Sequence, residues 1–260
     1  MTRVALEGGC FVTAVTQLDY EEHDDWHEAV VASVNTGSHA LSQYHVRVLG
    51  DRSPGRRYPN SDSVVYIRSG RGVLTIGSRS FKIGPESGAW IAPGEGLNIT
   101  PEAGGLVEML VTVCPECDDP KWFEDGPAWF DIRNPERVVS LEEQTTQPSE
   151  GRNFQRMVDD RVGSDQMTQF MAEIPLSKAP SHEHDYEELI CILSGHGRMW
   201  AGDAHTPIRP GSLIFLPRET RHHVECTDEE GMQYVAHRYP AGEPAVRERE
   251  DPTEIRTQPG

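Results

Sequence analysis

The sequence predicts an all-β protein built from two tandem, jelly-roll-like β-barrels. Three observations lead there. Glycine and proline are frequent, 24 and 19 residues, and are spread along the 260-residue chain, which suits many short strands and turns better than long helices. Short apolar runs such as Ala89-Trp90-Ile91-Ala92 and Ser212-Leu213-Ile214-Phe215-Leu216 sit between turn residues. Finally, the chain repeats itself: Gly70-Arg71-Gly72, Gly77 and Pro93 recur as Gly195-His196-Gly197, Gly202 and Pro217, offset by 125 residues for the glycines and 124 for the proline.

Each unit reads as strand, glycine turn, strand, glycine turn, strand, proline turn, strand. Such meanders expose edges unless they close or pair with a second sheet, hence the barrel expectation. The Gly-x-Gly pairs are hairpin turns, because they lack the strand-to-helix setting of a phosphate loop. In order, the chain divides into an N-terminal extension at 1–39, a first barrel at 40–117, a polar linker at 118–164, a second barrel at 165–240 and a charged, proline-bearing tail at 241–260 expected to be an arm or disordered.

Net charge is −18, so the surface opposes nucleic acid and anionic membranes. Arginine is plentiful while lysine is confined to Lys82, Lys121 and Lys178, a codon-composition effect without functional content. No apolar run approaches the length of a membrane helix, and the start Met1-Thr2-Arg3-Val4-Ala5-Leu6-Glu7 lacks the apolar core of a signal peptide. A soluble cytoplasmic protein is expected. The five cysteines have no framework spacing and read as reduced thiols. Cys114-Pro115-Glu116-Cys117 has no second pair to make a zinc site and no thioredoxin-like context.

The chemistry concentrates in the second unit. Alternate residues of a strand share a face about 7 Å apart, so His182 and His184 project together, and Glu188 has the same parity. His222 must reach them from a second strand. Three imidazoles and a carboxylate suit one divalent transition metal: iron, manganese, nickel, zinc or copper. Glu187 and His223 have the wrong parity and should face away. Ile190 and Ile192 should form an apolar wall, Cys226 shares the parity of His222, and Tyr186 stands in the motif loop as a gate or as packing. Because imidazoles ligate only when neutral, protons should compete with the metal below about pH 6.5. His23 and His27 would form a chelating pair on a helix, but no third ligand accompanies them, and the acidic segment Tyr20–His27 is read as solvated.

These residues resemble the motifs of the cupin superfamily. The first motif is Pro175-Leu-Ser-Lys-Ala-Pro-Ser-His182-Glu-His184-Asp-Tyr-Glu-Glu188 running on to Gly195; the second is Gly211, Pro217, Glu219 and His222. The resemblance implies metal binding by His182, His184, Glu188 and His222. It departs at Glu219, where glycine is usual, and at Cys226, where asparagine is common. In the first unit, counting by the repeat puts Arg57, Pro59, Ser63 and Asn98 at the ligand positions, a set that holds no transition metal. The chain thus resembles a bicupin with a degenerate first barrel. Its length is similar to that of the bicupin ureidoglycine aminohydrolases, but its ligand set differs from theirs.

The implied function is a metal-dependent enzyme acting on a small organic molecule in the second barrel, nominally a dioxygenase, with Glu188 as ligand and candidate catalytic proton carrier. Non-redox isomerase, lyase or decarboxylase chemistry is the alternative, and a metal-containing binding protein without turnover the third. The partner expected is a small-molecule substrate. The two barrels form a pseudo-dimer within one chain, and further association would give a homodimer.

Overall fold

The computed structural model describes residues 2–124, 129–149, 151–178 and 181–243. The expected arm or disorder at 241–260 therefore falls almost wholly outside the described residues. Secondary structure is overwhelmingly β-strand, with a few short 3-10 turns, as the sequence predicts. The strands form two pairs of sheets. The first barrel combines a seven-stranded sheet, whose middle strands are Asp62–Ser69, Val107–Cys114 and Ser42–Val48, with a five-stranded sheet containing Gly55–Arg57, Gly96–Pro101 and Gly72–Ile76. The second combines an eight-stranded sheet around Glu187–Ser194, Met232–Tyr239 and Thr168–Ile174 with a four-stranded sheet containing His222–Cys226 and Gly197–Ala201. Every named pairing is antiparallel.

The sheets reach beyond the two repeat units. Strands Glu21–His23 and Trp26–Ala32 extend the first barrel's large sheet, and Arg152–Val158 extends the second barrel's. Two segments cross over. The N-terminal strand Phe11–Ala14 pairs with Ser212–Leu216 of the second barrel, while Val138–Ser140, from between the units, pairs with Ser87–Ile91 of the first.

Strand alternation explains the near-continuous apolar runs. In Asp62–Ser69, Val65 and Ile67 face the first barrel's interior, whereas Val64 and Tyr66 enter a central cluster between the barrels. In Glu187–Ser194, Ile190 and Ile192 face the second interior, and Leu189 and Cys191 the central cluster. A strand buried on both faces has no polar side to show. Glu187 lies on the central side, where its carboxylate accepts from the Ser38 hydroxyl and the backbone N–H groups of His39, Ala40 and Leu41. It ties the two barrels together.

The glycine turns of the repeat are steric necessities. Gly195 has φ +77°, and a Cβ there would lie 2.3 Å from the Gly231 carbonyl oxygen; a Cβ on Gly197 would lie 1.9 Å from that of Glu225. Gly70 and Gly72 meet the same restrictions in the first barrel. A second lock holds the segment before Val138 to the first barrel. Arg137 and Glu95, both with wholly buried side chains, pair through two hydrogen bonds of 2.8 and 2.9 Å, and the guanidinium lies over the rings of Trp90 and Phe130.

Two buried histidines give the fold an acid sensitivity. His237 lies between Gln43 and Gln169 at the barrel interface, and burial pushes its pKa down to about 3. His45 is pushed down to about 3 by burial and by the charges of Arg68 and Arg47. Below about pH 6.5 the unfolded chain takes up protons that the folded chain refuses, so stability falls with pH by about 1.4 kcal/mol per unit per histidine. Asp62 runs the other way, since burial raises it to about 6 and the folded chain keeps a proton the unfolded chain gives up between there and about pH 3.9. The two histidines outweigh it. Urea denaturation is expected to give lower stability at pH 5 than at pH 7.5, with a shallower acid slope in His237→Gln. Equal stabilities at both pH values would contradict this assignment.

Among the described residues, no helix is long and apolar enough to cross a membrane. His23 and His27 lie on the two strands of a hairpin, with Glu22 opposite His27, so helical i, i+4 chelation does not arise.

Candidate metal centre in the second barrel

His182 and His222 are brought together by the backbone. Each N–H donates to the other's carbonyl, at 2.9 and 2.8 Å. Glu188, the second residue of the strand Glu187–Ser194, stands beside them, and His184 lies between, its loop pinned by the Glu219 N–H donating to the His184 carbonyl. Glu219 has φ +56°, in the left-handed region; this is the physical reason glycine is usual there.

All four side chains are buried. The His222 ring centroid lies 4.5 Å from that of His182 and 4.7 Å from that of His184, and Glu188 Oε2 lies 3.4 Å from His184 Nε2. Two of the imidazoles are oriented from behind. His184 Nδ1–H donates to the Tyr186 carbonyl at 2.6 Å, and His222 Nδ1–H to the Thr220 carbonyl at 2.7 Å. Fixing the proton on Nδ1 leaves the Nε2 lone pair as the donor toward a cation, the arrangement metal-binding histidines use. His184 Nε2 is buried with no hydrogen-bond partner, a costly state unless something else occupies its lone pair. Burial, and then the neighbouring His184 and His182, hold His222 well below its ordinary range. It is neutral at neutral pH, and proton competition at this ligand is displaced to more acid conditions than a free imidazole would show.

The set is loose. Among the described residues, no three His, Cys, Asp or Glu side chains are drawn into a ready-made metal cage. Converging lone pairs and a carboxylate repel one another until a cation sits among them, so the donor chemistry and the orphaned Nε2 are the stronger guide. These residues fit a divalent metal.

A cavity of about 20 Å³ opens on the four side chains, room for a single ion or water. Its wall is apolar, with Phe154, Phe170, Ile190, Leu216 and Val224. Of the two isoleucines expected there, Ile190 lines it, while Ile192 packs in the barrel core. Tyr186 also lines it, stacked on His184 at 3.8 Å with the Arg238 guanidinium 3.7 Å from its ring centre. Cys226 packs in the core away from the cavity. His223 turns to the opposite face and stacks on Trp200. Cys114 and Cys117 are free thiols.

Sequence reasoning missed Arg152 and Tyr234, which also line the cavity. They come from strands outside the motif, and no spacing rule links them to it. The only signal was parity: Tyr234 faces inward with Ala236.

The first barrel requires a correction. Counting along the chain puts Arg57, Pro59 and Asn98 opposite His182, His184 and His222. The sheet register places the counterparts one residue earlier. His222 pairs with Ala201 in the second barrel, and in the first Leu97 pairs with Ile76; His182 bridges His222, and Arg56 pairs with Leu97. The counterparts are therefore Arg56, Tyr58 and Leu97, while Ser63 keeps its place opposite Glu188. For Asn98 the discrepancy arises because the proline turn is offset by 124 residues and the flanking strands by 125. For Arg57 and Pro59 it arises because five positions separate Tyr58 from Ser63 where four separate His184 from Glu188. Leu97 is wholly buried among apolar residues. Arg56 donates to Glu28 Oε1 at 2.9 Å, and its guanidinium lies 4.1 Å from the Trp122 ring centre.

Comparisons with known proteins agree with the fold. Residues 171–237 match the family model described as "Cupin domain". No curated protein matches. Among solved structures, the chain is similar to the protein YlbA of E. coli, with 11% identity over 92% of this chain and 94% of that one and a TM-score of 0.71. It is also similar to a mutant of the oxalate decarboxylase OxdC of Bacillus subtilis, with 14% identity, 91% and 78% coverage and a TM-score of 0.70. The oxalate decarboxylase of Lactobacillus farciminis, solved as a formate complex, gives 11% identity, 88% and 86% coverage and a TM-score of 0.70. At these identities the likeness is one of fold. Residues 171–237, within the second barrel, match a cupin domain, and the chain as a whole shares the two-barrel fold of these structures.

Proposed function

We propose that the protein is a mononuclear metal-dependent enzyme acting on a small organic molecule in the second barrel, with His182, His184, Glu188 and His222 as the ligands. The observation that carries this reading is the buried Nε2 of His184, which has no hydrogen-bond partner, lies 3.4 Å from a buried carboxylate and is aimed by a hydrogen bond on the far side of its ring. A bound divalent metal would supply Lewis acidity, or dioxygen chemistry if it is redox-active. The chain supplies the rest. The apolar wall strengthens electrostatic effects inside the cavity. The backbone carbonyls of Tyr186 and Thr220 keep two imidazoles in one tautomer. Glu188, whose carboxylate lies beside His184, is the candidate to take or return a substrate proton.

Dioxygenase chemistry is the nominal reading. Non-redox decarboxylase or lyase chemistry is the second, favoured by the oxalate decarboxylases among the similar folds. A Bacillus oxalate decarboxylase structure in the same group concerns Mn(II) centres, and manganese is one of the candidate metals here. Turnover of a panel of small carboxylic acids and diols, with and without oxygen, separates the two. Oxygen consumption matching product supports the dioxygenase; equal rates without oxygen support the non-redox reading. No turnover by metal-loaded protein would favour the binding protein.

A further inference from the structure

We infer that the second barrel takes a small molecule bearing a carboxylate, and that Arg152, backed by Tyr234, is the group that receives it. This rests on the proposed metal centre. Arg152 stands at the mouth: the other lining residues described are buried, whereas Arg152 is half-exposed. Arg152 and Tyr234 line the cavity together with the four candidate ligands, so the guanidinium charge is presented to it.

Charge balance asks for an anion. A divalent metal, Glu188 and Arg152 sum to about two positive charges inside an apolar wall, where uncompensated charge is costly. A planar carboxylate matches the guanidinium fork.

The first barrel provides an internal comparison. By the same strand register, Glu28 and Phe154 occupy corresponding positions, as do Trp26 and Arg152. In the first barrel Glu28 fills its place with a carboxylate, bonded by Arg56 and by the Trp26 indole. That barrel satisfies its own cation. In the second, the position belongs to Phe154, so the chain places no carboxylate there, and one from outside would meet Arg152 at the mouth of the single-ion cavity.

The test is calorimetric titration of metal-loaded protein with formate, oxalate, malonate and succinate, and with malonamide as the uncharged control. Wild type is expected to bind at least one of the acids and to ignore malonamide. Arg152→Gln should weaken that binding at least tenfold with metal content per chain unchanged, and Arg152→Lys should retain part of it. Binding of malonamide as tight as malonate, equal acid binding by wild type and Arg152→Gln, or no acid bound by metal-loaded wild type would each overturn the inference. If the protein takes up no metal yet binds an acid in an Arg152-dependent way, the metal reading fails and the carboxylate reading stands.

Discussion

Replacing His222 by alanine is expected to lower metal affinity by more than about 100-fold, since even the groups that merely orient such ligands are worth 10–100-fold. The ring faces both other imidazoles, and its removal leaves a hole that no other described side chain can fill with a nitrogen donor. His223→Ala is the matched control, because that ring stacks on Trp200 on the far face of the strand. Competition against a chromophoric chelator reads both. Equal metal loss in the two variants would mean that the strand register is wrong. Glu188→Gln keeps the size but loses the charge, and should lower occupancy less severely. If activity per bound metal then equals wild type, Glu188 is a ligand alone and moves no proton.

The second large effect lies far from the metal. Arg137→Ala is expected to destabilise the protein by about 3–5 kcal/mol, the cost of leaving a buried carboxylate without its partner. Glu95 would keep its bonds from the Ala92 and Asp131 backbone N–H groups but lose both guanidinium bonds. Chemical denaturation should show the loss, while the metal content of the folded protein stays as in wild type. A change below about 1 kcal/mol, the level of an exposed pair, would show that Arg137 does not hold the linker to the barrel.

Much of this was legible in the sequence. The glycine repeat gave the two barrels because Gly70, Gly72, Gly77, Gly195 and Gly197 each stand where a Cβ would meet a backbone carbonyl oxygen. The opposite parity of Glu187 and Glu188, and of His222 and His223, holds because alternation is a property of the strand itself. The unbroken strand expected from His182 to Glu188 is not there, since His182 is an isolated bridge and His184 lies in a loop before the strand Glu187–Ser194. Their place beside Glu188 is set by the pairing of His182 with His222. What failed was long-range. Three of the four ligand counterparts in the first barrel were misplaced by one residue because the loop before Ser63 and the proline turn each absorb a slip, and only cross-strand pairing reveals it. Arg152 and Tyr234 reach the cavity by tertiary folding. Arg137 and Glu95 likewise meet through the path of the linker, which has no periodic signal.

The central claim is one metal, held in the second barrel. It is tested most directly by elemental analysis of protein purified without a metal-chelating tag and equilibrated with manganese, iron or zinc, beside His222→Ala treated identically. The expected result is one equivalent per chain in wild type and close to none in the variant. Two equivalents in wild type, with one surviving His222→Ala, would place a metal in the first barrel as well and contradict the account; no metal in wild type would contradict it outright.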